Sequence, residues 1–350
     1  MTHDTFAGAR PVGLAVPAAR EAAARPILDA LKPGSRVVMT THVNADGDGT
    51  GSEVGLWHLL AHLGVKAEIA NPTPFPSRFD FLLAGLDGVD RSRDGGRAIE
   101  RADVVVVLDI SHVSRLGDLG RLVEASRVPV VCIDHHVSPQ SLPDGPRLID
   151  PTACATGELV YDVARTAGWA ISREAALGLY VAILTDTGGF RFSNTSPRAL
   201  EIAADLLRNG LDPEDVYGHV YASEPEGKLR LMGEVLSTLV VEDPPGIAWV
   251  TVPPGALERH RVDPTDLDGV VELPRSVVGV KLALLFRELA NARIKVSFRS
   301  VGDVDVATLA ERFGGGGHRK AAGASLEGSL GEVQARVLEV ARSMLTGDSR

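Results

Sequence analysis

The sequence has few cysteines and no long apolar run. Its 350 residues include only two cysteines, Cys132 and Cys154, too few for a disulfide framework or a four-cysteine zinc site. No stretch reaches the roughly eighteen uninterrupted apolar residues that a membrane-spanning helix requires. The first residues, MTHDTFAGARPVG, lack the basic start and the apolar core of a signal peptide. These absences predict a cytoplasmic protein without a membrane partner.

Basic charge and aromatic side chains are also scarce. The 36 Lys and Arg residues are outnumbered by 46 Asp and Glu residues, which gives a formal net charge of −10. Proteins that bind long duplex nucleic acid usually carry a basic stripe, and none is visible in this sequence. An aromatic content of 5% leaves few stacking platforms for long single strands. The composition argues against long nucleic acid and leaves room for a small anionic substrate in a local pocket that contains metal ions.

Apolar residues make up 44% of the chain, enough for two domains with separate cores. Short β-branched runs alternate with helical patterns from residue 35 onward. Strands are predicted at 35–41, 66–70, 103–110 and 128–134. Helices are predicted at 51–63, 155–168, 173–184, 197–209 and 225–240. Fully apolar strands that alternate with helices predict an α/β domain, whose parallel sheet is covered on both faces.

The pattern changes near Gly246 to that of a smaller α+β domain. Strands are predicted at 247–252, 278–286, 293–300 and 321–325, and helices at 305–313 and 329–345. The predicted organisation is an N-terminal extension at 1–25, a metal-binding catalytic domain at 26–220, a linker helix at 221–243 and a substrate-binding domain at 244–347. About a hundred residues are enough for the last of these to fold independently.

Aspartates and histidines follow the predicted strands, where a parallel sheet carries its functional loops. Any one of them alone would equally fit a surface loop or an Asx turn. Together they offer four carboxylates and two imidazoles: His42, Asp46, Asp48, Asp109, His135 and Asp186. Four negative charges balance two divalent ions, and oxygen-rich ligands with some imidazole suit manganese or magnesium. Asp109 ends a central strand and is the natural bridging ligand.

A glycine run in the second domain is the next candidate site. The segment FGGGGHRKAAG at 313–323 contains Gly315 and Gly316, followed by His318 and Arg319. Successive glycines expose backbone N–H groups to an anion, and the basic residues add donors, although a flexible hinge is the alternative. Arg299 and Ser300 end a strand where a sugar or phosphate is expected to bind. Arg115 lies behind Asp109 and is placed to contact a phosphate oxygen; either arginine equally fits a surface ion pair.

These motifs, in this order, resemble those of the DHH phosphoesterase superfamily. HVNADGD, LDI followed by RLG, DHH and TDTGGFRFSNTS match the amino-terminal domain, and KVSFRS with FGGGGHRKAAG is similar to the DHHA1 domain. The resemblance covers residues 25 to 345 and is strongest to the bacterial oligoribonuclease/3′-phosphoadenosine 5′-phosphate phosphatase subfamily, the nanoRNases. It implies a hydrolase that depends on two divalent ions, Mn²⁺ before Mg²⁺ or Co²⁺, with its active site in a cleft between the two domains.

The resemblance also implies a role for each residue. His42, Asp46 and Asp109 would hold one ion, and Asp48, Asp109, His135 and Asp186 would hold the other. His136 and Arg115 would assist at the transition state beside Asp109, and the second domain would close over the substrate with its glycines and His318.

The expected reaction is in-line attack by a hydroxide held between the ions. The expected substrates are short oligoribonucleotides, dinucleotides such as pApA, and 3′-phosphoadenosine 5′-phosphate. The alternatives are an inorganic pyrophosphatase or exopolyphosphatase and a cyclic-dinucleotide phosphodiesterase on the same metal centre. A homodimer fits the family, but no sequence feature requires one.

Overall fold

A computed structural model describes residues 14–86, 88–136, 142–267, 269–289 and 293–346, with only the backbone described at 265, 266 and 318. The chain divides into two compact units, Met1–Ser223 and Glu224–Arg350. Within the described residues, no helix has the length and apolar character needed to cross a membrane.

The first unit is built on a five-stranded parallel sheet with strand order β2-β1-β3-β4-β5. Its strands are β1 Arg36–Thr40, β2 Lys66–Ile69, β3 Val104–Leu108, β4 Val130–Asp134 and β5 Arg147–Ile149. Successive side chains of a strand point to opposite faces of the sheet. Val106 of β3 accordingly packs in one core and Val105 and Val107 in another, so the valine run is buried on both faces.

Eight α-helices surround this sheet in the described part of the first unit. They are α1 Ala18–Ala30, α2 Gly47–Ala61, α3 Gly95–Arg101, α4 Leu119–Glu124, α5 Thr156–Ala167, α6 Arg173–Asp186, α7 Pro197–Leu207 and α8 Pro213–Tyr221. Short 3₁₀ helices occur at Ser77–Leu83, Ser92–Asp94 and Val113–Leu116. The side chains of Ser172, Ser196 and Asp212 cap α6, α7 and α8 by accepting backbone N–H bonds, which satisfies donors that a helix start leaves free.

Glycines let α2 and α6 pack closely. A Cβ at Gly51 would lie 2.5 Å from the carbonyl oxygen of Gly178, and one at Gly178 would lie 2.6 Å from the backbone nitrogen of Gly55. Both distances are shorter than real Cβ contacts. The close approach brings Asp48, at the start of α2, to the same end of the unit as Asp186, at the end of α6.

The second unit contains a six-stranded mixed sheet with strand order β10-β11-β9-β8-β7-β6. Its strands are β6 Val240–Glu242, β7 Ile247–Thr251, β8 Leu282–Leu289, β9 Arg293–Ser300, β10 Gly316–His318 and β11 Ala321–Glu327. Its helices are α9 Glu226–Leu236, α10 Ala256–His260, α11 Glu272–Arg275, α12 Val306–Glu311 and α13 Leu330–Thr346, with a 3₁₀ turn at Pro264–Leu267. Among the described residues of this sheet, only β7 and β8 pair in parallel; the other pairs are antiparallel.

The predicted fold class, a parallel-sheet α/β domain followed by a smaller α+β domain, is confirmed, with local differences. Strand β5 and helix α8 are among the elements that were not predicted. Residues 18–25 of the expected extension belong to α1, whose Ala24 and Ile27 are fully buried in the first core. The expected linker helix is shorter, because residues 240–242 form β6 and pair with β7. The domain limits deduced from the sequence stay a prediction.

Candidate active site

The six candidate ligands converge at one edge of the parallel sheet. His42 follows β1, Asp109 follows β3 directly and His135 follows β4 directly, while Asp48 and Asp186 lie at the start of α2 and the end of α6. Because β1, β3 and β4 are neighbouring parallel strands, their carboxyl ends meet at this edge.

Three of these residues form a first group. The Nε2 atom of His42 lies 3.6 Å from Oδ2 of Asp46 and 3.5 Å from Oδ2 of Asp109. The ligand atoms of the three side chains lie within 4.8 Å of one another. On the other side of the ring, Nδ1 of His42 is 2.9 Å from the carbonyl oxygen of Val43. A ring nitrogen held by a carbonyl leaves the opposite nitrogen free to bind a metal ion.

A second group surrounds His135. Its Nε2 atom lies 3.6 Å from Oδ2 of Asp48, 3.7 Å from Oδ1 of Asp109 and 3.6 Å from Oδ2 of Asp186. Its Nδ1 atom lies 3.3 Å from the carbonyl oxygen of Ala153, so this histidine is oriented in the same way as His42. Asp109 belongs to both groups, with Oδ2 in the first and Oδ1 in the second. The structure therefore brings together all six residues predicted as ligands.

Asp109 also has an unusual backbone conformation. Its φ angle is +57°, in the left-handed region that non-glycine residues seldom occupy. Its N–H donates to the carbonyl oxygen of Ile133 at the end of β4. A residue in this conformation persists where the surrounding structure holds it. In this conformation Oδ2 of Asp109 faces the first group and Oδ1 faces the second.

The raised pKa values of carboxyl groups at the site show that their negative charges are not fully compensated. Burial and the neighbouring carboxylates of Asp109, Asp186 and Asp46 raise the pKa of Asp48 well above its usual value. Burial raises the pKa of Asp186 to about 6. Burial opposes protonation of His42, but Asp109 and Asp46 outweigh it and raise the histidine's pKa to about 10. Cations placed among these carboxylates would relieve their mutual repulsion.

His136 lies beside the two groups. Its Nδ1 atom is 2.6 Å from Oδ1 of Asp134 and 3.6 Å from Oδ1 of Asp109. The hydrogen bond to Asp134 raises the pKa of His136. Asp134 is fully buried and was not assigned a role from the sequence, although it is the first residue of the DHH tripeptide. The hydrogen bond to Asp134 fixes the orientation of the His136 ring.

Further polar side chains at the site were missed, among them Thr156 and Asn194. The Oγ1 atom of Thr156 donates to Oδ1 of Asp109 at 3.2 Å. The Nδ2 atom of Asn194 donates to the carbonyl oxygen of Cys154 at 2.9 Å and to Oδ2 of Asp186 at 3.3 Å. Asn194 lies within TDTGGFRFSNTS, so the motif carried a signal for it, whereas no pattern distinguishes Thr156. Both side chains hold ligand carboxylates in place.

Arg115 also reaches this edge of the sheet. It belongs to the 3₁₀ helix Val113–Leu116, and its Nη2 atom lies 3.0 Å from Nδ1 of His42. The backbone of Arg115 is tied to the same loop, because its carbonyl oxygen accepts the N–H of Val43 at 2.8 Å. The exposed guanidinium is therefore adjacent to the first group, where its predicted contact with a phosphate stays a prediction.

Comparison with known proteins agrees with this geometry. Residues 36–183 match the DHH family, N-terminal domain, and residues 247–346 match the DHHA1 domain. A Thermus thermophilus protein named bifunctional oligoribonuclease and PAP phosphatase NrnA is 34% identical over 317 residues, which are 89% of this chain and 90% of the relative. The chain belongs to the DHH family. This confirms the predicted resemblance and the enzyme class, a phosphoesterase.

Other proteins that are similar to this member of the DHH family extend the comparison. A Bacillus subtilis protein of the same name is 29% identical, with 83% of this chain and 89% of the relative covered. The crystal structure of an exopolyphosphatase-related protein from Bacteroides fragilis matches with a TM-score of 0.84 at 30% identity, and covers 93% of this chain and 98% of that one. The exonuclease RecJ bound to manganese matches with a TM-score of 0.52 at 16% identity, which supports the fold alone.

The basic residues predicted to bind substrate in the DHHA1 unit have protein partners. Nε of Arg299 donates to Oε1 of Glu272 at 2.9 Å, and Nη2 of Arg319 donates to the carbonyl oxygen of Asp303 at 3.2 Å. The Nζ atom of Lys320 donates to the carbonyl oxygen of Gly302. Ser300 is 1% exposed, and its hydroxyl donates to the carbonyl oxygen of Val304 at 2.8 Å. Its role in substrate binding stays a prediction.

The glycine run of the DHHA1 unit is partly a strand. Residues 316–318 form β10, which pairs with β11 in an antiparallel ladder. A Cβ at Gly315 would lie 2.2 Å from the carbonyl oxygen of Gly323, so packing alone requires a glycine there. A Cβ at Gly316, like one at Gly314, would meet no atom within 4 Å, so Gly316 borders open space. The side chain of His318 lies outside the described residues.

Proposed function

We propose that the chain hydrolyses phosphate esters of short oligoribonucleotides and of 3′-phosphoadenosine 5′-phosphate with the aid of two divalent cations. The observation that carries this proposal is the placement of Asp109, whose two carboxylate oxygens face two different groups of ligands. The substrate class is supported by the printed names of the Thermus thermophilus and Bacillus subtilis relatives.

The side chains at the site fit hard divalent cations. One cation would be held by His42, Asp46 and Asp109. The second cation would be held by Asp109 together with a further set of side chains. That set is Asp48, His135 and Asp186. Carboxylate oxygens with imidazole nitrogens favour Mn²⁺ or Mg²⁺ over thiolate-preferring ions. Burial raises the pKa of the nearby Cys154 thiol, so that cysteine supplies no thiolate.

Two such cations together lower the pKa of water and neutralise charge on phosphoryl oxygens. Hydrolysis joins a water oxygen to phosphorus and breaks the ester P–O bond, and the leaving oxygen then needs a proton. His136 is suited to supply it, because Asp134 accepts the bond from its Nδ1 atom and leaves Nε2–H free to donate. Arg115 would bind a nonbridging phosphoryl oxygen through its exposed guanidinium.

The second unit would bind the remainder of the substrate. Gly316 leaves room for close approach. Arg319, which is 60% exposed, would exchange its contacts with the carbonyl oxygen and carboxylate of Asp303 for a phosphate. Arg299 and the segment that contains Gly315 and His318 would belong to the same substrate-binding element of the second unit. The enzyme would act in the cytoplasm on short RNA or a small nucleotide.

A hydrolysis panel tests this proposal. Protein stripped with EDTA and reloaded with Mn²⁺ is offered RNA of two to five nucleotides, a 24-nucleotide RNA, pApA, 3′-phosphoadenosine 5′-phosphate, pyrophosphate and polyphosphate at equal concentration. Faster hydrolysis of the short nucleotides than of the 24-mer is the expected result, and the Asp109→Asn variant is the matched inactive control. Phosphate release from pyrophosphate or polyphosphate alone would instead establish the alternative activity.

A further inference from the structure

The N-terminal helix contributes a buried cation to the first unit. Arg20 of α1 is 4% exposed, although it precedes the residues that match the DHH family. Its Nε donates to Oδ2 of Asp150 at 2.6 Å, and its Nη2 donates to Oγ1 of Thr152 at 3.3 Å. Its Nη1 donates to Oε1 of Glu158 at 2.5 Å and to Oδ2 of Asp162 at 2.9 Å. All the guanidinium nitrogens of Arg20 are thus engaged.

The segment that Arg20 holds, residues 150–157, reaches the candidate ligands directly. The backbone nitrogens of Thr156 and Gly157 donate to Oδ2 and Oδ1 of Asp48 at 2.7 and 3.0 Å. The hydroxyl of Thr156 donates to Asp109, and the carbonyl oxygen of Ala153 lies against Nδ1 of His135. The segment therefore sets the orientation of ligands from both groups.

Arg20 is linked to these contacts at both ends of the segment. At the start, Asp150 turns its Oδ2 to Arg20, while its Oδ1 accepts the N–H of Thr152 at 2.8 Å. At the end, Glu158 turns Oε1 to Arg20 and accepts the N–H of Cys154 with Oε2 at 2.9 Å. The same carboxylates thus bind the guanidinium and fix the backbone that carries the ligand contacts.

We propose that Arg20 is a positioning residue for the divalent cations, acting through the 150–157 segment. This inference rests on the proposed function, because it assumes that the two groups hold cations. A guanidinium presents its donors in a rigid planar fork, so one side chain can bind four acceptors in fixed directions. A lysine ammonium cannot reproduce that arrangement, and it would restore charge without restoring the geometry.

Arg198 of α7 provides a matched control. It pairs with the same two helix α5 carboxylates, those of Glu158 and Asp162. Its Nη1 atom donates to the carbonyl oxygen of Ala15 at 2.9 Å rather than to the start of the 150–157 segment. A substitution at Arg198 perturbs the same buried charges and leaves the bonds from Arg20 to Asp150 and Thr152 in place.

The test is calorimetric titration of the metal-free protein with Mn²⁺, combined with thermal unfolding of each metal-free variant. Partners that orient metal ligands contribute about tenfold to a hundredfold in affinity, so Arg20→Gln should weaken Mn²⁺ binding by that factor, and Arg20→Lys should recover only part of it. Arg198→Gln should lower the midpoint of thermal unfolding and leave Mn²⁺ affinity unchanged. In the reloaded enzyme, Arg20→Gln should lower kcat and leave KM nearly constant.

Two results would overturn the inference: Mn²⁺ binding to Arg20→Gln at the affinity of the natural protein, or equal loss of affinity in the Arg20 and Arg198 variants. If Arg20→Gln does not fold, Asp150→Asn carries the test, because it keeps Oδ1 for Thr152 and removes the charged partner of Arg20 at the start of the segment. Unchanged affinity in that variant also overturns the inference. Absence of Mn²⁺ binding to the natural protein refutes the proposed function instead.

Discussion

Glu53 provides a prediction whose size follows from its surroundings. Its side chain is fully buried in α2, with Oε2 accepting from Nδ2 of Asn71 at 2.8 Å. Its Oε1 has no hydrogen-bond partner among the described residues. Burial raises the pKa of this carboxyl from 4.5 to about 8. The folded protein therefore holds a proton on Glu53 under conditions in which the unfolded chain has lost it.

The sign and size of the effect follow from proton linkage. Below pH 4.5 the carboxyl is protonated in both states, and its titration adds nothing to the free energy of unfolding. Between pH 4.5 and 8 unfolding releases this proton, so the free energy of unfolding falls by about 1.4 kcal/mol per pH unit. Above pH 8 the loss is complete, at about 5 kcal/mol.

The assay compares the natural protein with Glu53→Gln in denaturant titrations between pH 5 and 8. Glutamine keeps the shape of the side chain and an oxygen for Asn71, but it does not titrate. Trp57 and Trp169 pack against the core of the first unit, so a Trp249→Phe background confines the fluorescence signal to that unit. EDTA is present throughout, which keeps the aspartates and histidines of the site in the same state in both proteins.

The stability of Glu53→Gln relative to the natural protein should rise by about 4 kcal/mol between pH 5 and 8. The other titrating groups are common to both proteins and cancel in the difference. A difference that stays constant with pH would show that Glu53 titrates normally in the folded state. It would refute the reasoning that burial raises its pKa.

Three further predictions concern the site and its supporting helices. Asp109→Ala should reduce Mn²⁺ stoichiometry in calorimetry from two ions to none, because one carboxylate serves both groups; a variant that still bound one ion tightly would contradict the shared role. Asp134→Asn should lower kcat at least about tenfold while Mn²⁺ affinity is retained, because His136 loses the anion that holds its proton; an unchanged kcat would remove His136 from the mechanism. Gly178→Ala should lower the free energy of unfolding by about 1–3 kcal/mol through overpacking against α2. Gly218→Ala, in an open position of α8, should instead raise it by about 0.5–1 kcal/mol. Equal effects of the two substitutions in denaturant titrations would show that helix packing does not require Gly178.

Much of the first unit could be predicted because its signals are local. The valine run of β3 and the apolar strands β1 and β4 are recognisable without knowledge of the fold, and parallel pairing then brings their ends together. The shared role of Asp109 follows from its place after a central strand. Strand β5 has only three residues, too few to show a period. Helix α8 begins with the capping pair Asp212 and Pro213, a signal that was present and not used.

The remainder depends on contacts between distant residues. Arg20 lies 138 positions from Glu158, and nothing in an alanine-rich helix indicates that one of its arginines is buried. The sequence suits Arg299 equally to a phosphate contact and to a surface ion pair, because its partner Glu272 lies close to it only in space. The glycine run suggested an open loop because its pairing with β11 is a tertiary contact. Burial and ion pairing therefore set the limit of prediction from sequence at these positions.

The separation of the candidate ligands along the chain has a consequence for synthesis. The first is His42 and the last is Asp186, so the two groups are not both complete on the ribosome until α6 has emerged and packed against α2. Cations that bind both groups would then select the finished unit over every partly folded one. A cation at a hundred times its dissociation constant adds about 2.7 kcal/mol to the stability of such a unit. Under the proposed function, the supply of cations would set how much of the protein escapes proteolysis as well as how fast it works.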